Sequence, residues 1–344
     1  MRVLVTGGAG YIGSQTAKCL DRSGFEPIVL DDFRTGHRWA VRWGPLIEGD
    51  LAERETVREA IHAMGVEAVV HFAADAYVGD SMRMPREYFR NNVVNTLGLL
   101  DVMLDAGVRT IVFSSTCATY GVPDHAPISE AHPQRPVNPY GESKLFVERV
   151  LRWYGEAYGL RWCALRYFNA AGADSEGELG EDHEPEPHLI PSVIRAALGL
   201  RAALEIYGTD YPTPDGTAIR DYIHVEDLAQ AHVLALRHLL DDGEPGPFNL
   251  GTGTGFSVHE VIRAVERVSG NRVPVHPAPR RPGDPPALTA DAGLAGRILG
   301  WRPQRSSLEN IVRTAWAWDV ARAKDDRVAV PSEEAVAWAD APRQ

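Results

Sequence analysis

Tyr140 and Lys144 stand four residues apart in Pro139-Tyr140-Gly141-Glu142-Ser143-Lys144. On a helix that spacing puts both on one face, with Cβ atoms about 5–6 Å apart. A free phenol, with a pKa of about 10, is a poor base at neutral pH. One positive charge about 5 Å away, at an effective dielectric near 20, is worth roughly 3 kcal/mol, or about two pKa units. A lysine acting with a second bound positive charge therefore brings the phenol toward neutral pH, where it serves as a general base for a hydroxyl. The lysine is a pointed choice, because the chain has only Lys18, Lys144 and Lys324 and otherwise uses arginine as its cation. A compact ammonium suits this task better than a guanidinium fork. Ser114, Ser115 and Thr116 offer a third group, a hydroxyl able to bridge a substrate and the phenol.

A second constellation supplies the missing charge. Thr6-Gly7-Gly8-Ala9-Gly10-Tyr11-Ile12-Gly13 follows an apolar run and opens a helical pattern. Gly8, Gly10 and Gly13 fit GxGxxG, and Gly7, Gly10 and Gly13 fit GxxGxxG. Such glycines permit a tight turn and close backbone approach to a pyrophosphate, which sits on the helix N-terminus. Asp31 ends the next strand pattern about 20 residues on, where an acid accepts from ribose hydroxyls and repels a 2′-phosphate. NAD is favoured over NADP, and its oxidised nicotinamide is the second positive charge. A later run, Gly251-Thr252-Gly253-Thr254-Gly255, misses the spacing and is not expected to bind a second dinucleotide.

These residues must be positioned by strands and helices. Short β-rich runs are predicted at 3–6, 27–30, 68–72, 110–114 and 162–166. Helical patterns lie between them at 12–23, 53–64, 92–106 and 140–158. Apolar strands alternating with helices imply an α/β protein, a Rossmann-like doubly wound parallel sheet covered on both faces. Ligands then sit at the carboxyl ends of the strands, which is where 114–116 falls. From about residue 170 the character changes, with an acidic Gly- and Pro-containing loop at 173–188. Residues 1–169 plus 221–247 are expected to form the dinucleotide-binding domain. Residues 170–220 plus 248–330 are expected to form a smaller C-terminal substrate-binding lobe, and 331–344 a flexible tail.

Composition narrows the partners. Forty-seven acidic against 35 basic residues give a net charge of −12, and no basic block interrupts that balance. Neither nucleic acid nor an anionic membrane is an expected partner. No run approaches the roughly 18 apolar residues of a membrane span, and the N-terminal run lacks the marks of a signal peptide. Cys19, Cys117 and Cys163 are widely spaced, as reduced thiols in the cytoplasm would be. Asp182-His183-Glu184 with Glu186 and His188 suggests a metal at first sight. The histidines are five apart in a proline-broken loop, however, so no metal site is expected.

Ordered segments along nearly the whole chain carry a resemblance. TGGAGYIG (6–13), HFAA (71–74), VGDS (78–81), FSSTCATYG (113–121), NPYGESK (138–144), LRYFNAAGA (165–173), HLIP (188–191), IRDYIHVEDLA (219–229), FNLGTG (248–253) and RRPGDPP (280–286) resemble the extended short-chain dehydrogenase/reductase family, and within it the sugar-nucleotide 4-epimerases. The resemblance implies an NAD-dependent isomerase that inverts C4 of a UDP-hexose through a transient 4-keto sugar while retaining NAD. It implies Tyr140 as base, Lys144 as its electrostatic partner and Thr116 as the bridging hydroxyl. Tyr11 and Ile12 are implied at the pyrophosphate, Asp31 at the ribose, and Asp50 and Leu51 at the adenine. Phe72, Ala73, Asn91 and Phe168 line the rest of that site. Asn169, His188, Leu189, Glu205, Ile206, Tyr207, Arg220, Arg281 and Asp284 are implied to hold the UDP part, and a homodimer is implied as well.

Two departures from the family pattern are expected to matter. Ala76 replaces a lysine that some relatives place near the NAD phosphates. Leu288, intermediate in size, occupies a position beside the sugar, so UDP-N-acetylglucosamine and UDP-xylose remain alternative substrates. A sugar-nucleotide dehydratase is disfavoured, because no carboxylate follows Thr116 in Cys117-Ala118-Thr119. A non-catalytic NAD-binding protein is disfavoured because both Tyr140 and Lys144 are present.

Overall fold

A computed structural model describes residues 1–281 and 283–329; the tail expected at 331–344 lies outside the described residues. The chain begins with β1 (Arg2–Thr6), α1 (Tyr11–Arg22), β2 (Glu26–Asp31), β3 (Leu46–Glu48), α2 (Arg54–Met64) and β4 (Ala68–His71). Short helices α3 (Val78–Arg83) and α4 (Pro85–Phe89) lead through a π turn into α5 (Asn95–Asp105), then β5 (Thr110–Thr116), α6 (Pro139–Tyr158) and β6 (Arg161–Tyr167). The second half holds β7 (Asn169–Ala171), α7 (Leu189–Ala197), β8 (Leu204–Tyr207), β9 (Ile219–His224), α8 (Val225–Leu240) and β10 (Gly246–Leu250). It ends with β11 (Gly255–Ser257), α9 (Val258–Ser269), β12 (Val275–Ala278), β13 (Ala287–Leu288), α10 (Gly293–Ile298) and α11 (Leu308–Ala329).

The large sheet has the order β10-β6-β5-β4-β1-β2-β3, with every pair parallel. Side chains alternate across a strand, and the sheet buries both sets. Val3, Val5, Val70 and Val112 pack with Leu20 of α1 and with Leu228, Ala231 and Leu236 of α8. Leu4, Val69, Ile111 and Phe113 face the other way, against Val57 and Ile61 of α2, Leu99 and Met103 of α5 and Leu151 of α6. The fold is the expected doubly wound α/β arrangement. Two strands of this sheet, β3 and β10, were not anticipated; β3 has only three residues, too few to show a pattern.

A smaller sheet runs β11-β9-β13, with β7 added beside β9, and β8 pairs with β12. Helices α7, α9 and α11 bury Ile194, Val261, Val265 and Ile311 in a core of their own. Helix α8 and strand β10 instead return to the large sheet. Among the described residues no helix is long and apolar enough to cross a membrane.

Strand order reverses on either side of β1, and a crevice opens at the carboxyl ends of the strands at such a point. There Thr6 is level with His71, and Thr116 with Tyr167. His71 ties this rim together. Its Nδ1 lies 2.6 Å from Thr6 Oγ1 and its Nε2 lies 2.9 Å from Thr96 Oγ1. Burial, with Lys144 nearby, pushes its pKa down to about 3, so the ring bridges three elements as a neutral imidazole.

Candidate active site

Helix α6 starts where the sequence dictates. Asn138 caps it by accepting from the Gly141 amide at 2.8 Å, and Pro139 fills the first turn, where its missing N–H costs nothing. Gly141 is required by packing, since a Cβ there would lie 2.5 Å from the Ala118 carbonyl oxygen. This close approach sets Tyr140 against the end of β5. Ser143 donates to the Tyr140 carbonyl at 2.7 Å and accepts from Asn92 at 3.0 Å.

Lys144 is 3% exposed, and its ammonium has one hydrogen-bond partner, the Ser114 carbonyl at 2.9 Å. It lies 6.0 Å from the centre of the Tyr140 ring. Burial pulls the ammonium down to about 7, with Asp75 opposing. The Tyr140 phenol is held above its usual range by burial, with Tyr167 adding and the Thr116 hydroxyl opposing. From the sequence, the lysine together with the positive charge of a bound nicotinamide is expected to lower the phenol. In the protein alone burial holds the phenol up, so that second charge is needed to bring it down.

The three candidate hydroxyls separate cleanly. Ser114 bonds the Tyr167 hydroxyl, and Ser115, fully buried, donates to Glu148. Thr116 accepts from the Ala118 amide at 3.1 Å, which leaves its own proton free beside Tyr140.

Beneath these residues lies a polar network that sequence reasoning missed. Arg166 of β6 and Glu148 of α6 are 4% and 5% exposed and pair in a fork, Nε to Oε1 at 2.9 Å. Arg166 also donates to Tyr120 Oη at 2.8 Å, and Tyr120 donates to Asn249 at 2.7 Å. Glu148 stands one helical turn beyond Lys144, so the pair clamps the catalytic face of α6 to the sheet. The only available signal was an arginine inside the otherwise apolar strand run of 162–167.

The glycine turn fits a dinucleotide. Gly7 has φ +71°, and a Cβ there would lie 2.6 Å from the Ala73 amide nitrogen; a Cβ on Gly13 would lie 2.2 Å from the Gly7 carbonyl oxygen. Helix α1 begins with no side-chain cap and no acidic residue in its first turn, leaving amides at Tyr11, Ile12 and Gly13 for an anion. Asp31 is fixed by the amides of Ala9 and Phe33, each at 2.9 Å, and its remaining lone pairs can take ribose hydroxyls. The nearly buried Lys144 ammonium, with two donors unused, suits the second ribose.

Other expected cofactor residues are placed less simply. The Tyr11 hydroxyl donates to Gly172 at 2.5 Å, so only its backbone is free for a phosphate. Leu51 is buried in the core beside Leu4, while Asp50 is exposed and turns back on the Ala52 amide. Phe72 and Ala73 both donate backbone N–H groups to Thr6. Asn91 is half-buried, and its neighbour Asn92 holds the Asp75 backbone at 2.8 and 2.9 Å. Phe168 is buried with Tyr120 and Ile128. Ala76 is exposed.

On the other side of the crevice, Asn169 donates to the Asp221 carbonyl at 3.0 Å. Arg220 pairs with Asp284, and Arg281 stacks on Tyr207 at 4.1 Å. Tyr207 donates to Glu205, while the Ile206 side chain is turned into the core, so only its backbone is available to a ligand. Leu288 is level with Arg220 and packs against the cluster of Tyr120, Ile128, Phe168 and Ala290. His188 caps α7 just ahead of Leu189.

The spacing of the two histidines predicts no metal site at 182–188. The loop folds back so that Glu181, His183, Glu186 and His188 converge, with one ligand atom of each within 4.8 Å of the others.

Comparison with known proteins agrees with this geometry. A family model described as NAD dependent epimerase/dehydratase family matches residues 3–251. A UDP-glucose 4-epimerase of Halalkalibacterium halodurans is 51% identical over 318 residues, covering 92% of this chain and 95% of the relative. The crystal structure of UDP-glucose 4-epimerase from Brucella ovis in complex with NAD is similar at TM-score 0.90 and 53% identity, over 92% of this chain and 97% of that one. The enzyme from Bifidobacterium longum in complex with NAD+ and UDP is similar at TM-score 0.89 and 38% identity, over 94% and 99%. With the glycine turn, the Tyr140–Lys144 pair and the family model all falling on the same large sheet, the chain belongs to the NAD dependent epimerase/dehydratase family.

Proposed function

We propose that this protein interconverts UDP-glucose and UDP-galactose by inverting C4, with NAD retained between turnovers. The observation that carries the proposal is the start of α6 against the end of β5, where Tyr140, a nearly buried and under-bonded Lys144 and the free Thr116 proton come together. NAD would rest on the glycine turn, Asp31 and Lys144, and when bound would supply a reversible hydride acceptor for C4. Tyr140 then takes the O4 proton, Thr116 holds O4 by a hydrogen bond, and Tyr140 returns the proton once the 4-keto sugar has presented its other face. Arg220 and Arg281 would grip the diphosphate, which guanidinium groups bind in pairs of hydrogen bonds. Release from Asp284 and rotation off Tyr207 would turn them to that task. In this reading the large sheet with α8 and β10 carries the cofactor, and the lobe of β7, β9 and α7 carries UDP.

Incubation with UDP-galactose tests the assignment. The expected product is UDP-glucose, with no accumulation of reduced nicotinamide at its absorption band. Net reduced cofactor, or no product, overturns it. Leu288, larger than the small residue that an N-acetyl group would need beside the sugar, favours a hexose over an N-acetylhexosamine, and UDP-N-acetylgalactosamine in the same assay is expected to turn over more slowly.

We also propose a cytoplasmic homodimer. Phe146 and Trp153, two turns apart on α6, are 44% and 59% exposed, and Phe89 and Val94 on adjoining turns are 38% and 52% exposed. Exposed apolar groups gathered on packed neighbouring helical segments mark an interface. Light scattering is expected to give twice the chain mass, and Trp153→Glu to shift it toward one chain. A wild-type monomer would remove the dimer from this reading.

A further inference from the structure

The segment between β7 and α7 contains a second constellation, apart from the reacting groups. We propose that Glu181, His183, Glu186 and His188 bind a zinc-type divalent cation that clips this loop at the start of α7. His183 Nδ1 lies 3.3 Å from Glu181 Oε1 and 3.6 Å from Glu186 Oε2. His188 Nδ1 lies 2.7 Å from Glu181 Oε1 and 2.8 Å from Glu186 Oε1. A tetrahedral ion with bonds of about 2.0–2.1 Å holds its ligand atoms about 3.3 Å apart. Ligand atoms of the four groups already lie within 4.8 Å of one another, so the loop need only close up around an ion.

A second observation points to a ligand. Among the described residues His183 Nδ1 and Glu186 Oε2 are buried and have no hydrogen-bond partner, although the Glu186 side chain is only 3% exposed. Buried polar atoms are normally satisfied, and a cation between them satisfies both. Two carboxylates removed from water call for two positive charges; the two imidazoles supply them when protonated, and one divalent ion would supply them in their place.

The donor set selects the ion. Two imidazoles with two carboxylates suit zinc, whereas magnesium and calcium prefer oxygen alone. Four protein donors leave no open position, so the role is structural rather than Lewis-acidic. The other acidic group, Asp174, Glu176 and Glu178, is different: the Lys18 ammonium already sits among its oxygens at 2.7–3.1 Å.

The location gives the clip a consequence. The rings of Tyr11 and Tyr77 stand edge-on to His183, at 6.5 and 5.9 Å, and Tyr11 opens the helix of the glycine turn. The ion would thus hold the loop carrying His188 against the dinucleotide turn.

The test uses the full chain made without a histidine tag, stripped with a chelator and titrated with Co²⁺ alone. One equivalent is expected to produce the visible d–d absorption of a tetrahedral site. Zn²⁺ is expected to abolish that band by displacement and to raise Tm. His183→Ala and Glu186→Gln are each expected to lose the band and the Tm shift; Glu186→Gln keeps the side-chain shape, so it reads the site even if His183→Ala folds poorly. Absence of Co²⁺ absorption and Zn²⁺ binding in the wild type, or unchanged binding in the variants, overturns the proposal. Binding is read without any sugar nucleotide, so its failure is distinct from failure of the C4 epimerisation.

Discussion

Tyr140→Phe is expected to lower kcat by about 10²- to 10⁴-fold, the usual contribution of a positioned general base, while the fold and NAD content stay intact. The phenol donates no hydrogen bond that the structure depends on, and the phenyl ring preserves its edge-on contact with Tyr88 at 6.5 Å. The pH profile gives a second readout. Because burial holds the phenol above its usual range in the protein alone, spectrophotometric titration of NAD-free protein should show no tyrosinate from this residue near neutral pH. Adding oxidised NAD should bring a tyrosinate signal down in pH, and Tyr140→Phe should lack it. Turnover by Tyr140→Phe within a few-fold of wild type would remove the residue from the role of base.

Lys144→Met should separate activity from stability. Each charge-assisted hydrogen bond lost from a ribose costs about 1.5–3 kcal/mol, roughly tenfold to a hundredfold in affinity. NAD binding should weaken accordingly and turnover should fall with it. The NAD-free variant, however, should melt higher than NAD-free wild type at neutral pH, because a buried ammonium with a single partner is exchanged for an apolar chain of similar length. The sign follows from the proton balance. Lys144 is held at about 7 in the folded protein, against 10.5 ordinarily. Between those values the unfolded chain binds more protons than the folded one, so wild-type stability from this group rises with pH. It is lost again as pH falls through about 7. The gap in Tm between variant and wild type should therefore narrow from pH 7 toward pH 10. A variant that melts lower than wild type throughout would mean that the Ser114 carbonyl contact outweighs the burial.

Much of the site is written locally. The crowding at Gly13 is local, against the Gly7 carbonyl six positions back, although the close approach that requires Gly7 is to Ala73 beyond β4. The helix carrying Tyr140 and Lys144 likewise starts at its own Asn138-Pro139 cap, and one helical turn sets their shared face. The alternation of apolar strands and helices made the doubly wound sheet legible. Short strands such as β3 were not legible, because three residues show no period.

Contacts between distant positions were hidden. Glu148 meets Arg166, and His71 meets Thr6 and Thr96, only because parallel strands and covering helices bring them together. Charges within apolar runs hinted at the first pair without naming the partner. The approach of Glu181, His183, Glu186 and His188 was likewise hidden, since their spacing in the chain does not show that the loop folds back on itself. Spacing suggested that the lysine, together with a bound nicotinamide, lowers the phenol. Tertiary burial reverses that for the protein alone: removing both groups from water costs the charged form of each, phenolate and ammonium alike. Type and spacing, then, were enough to select the reacting groups, whereas their ionisation depends on how much solvent the surrounding fold takes away.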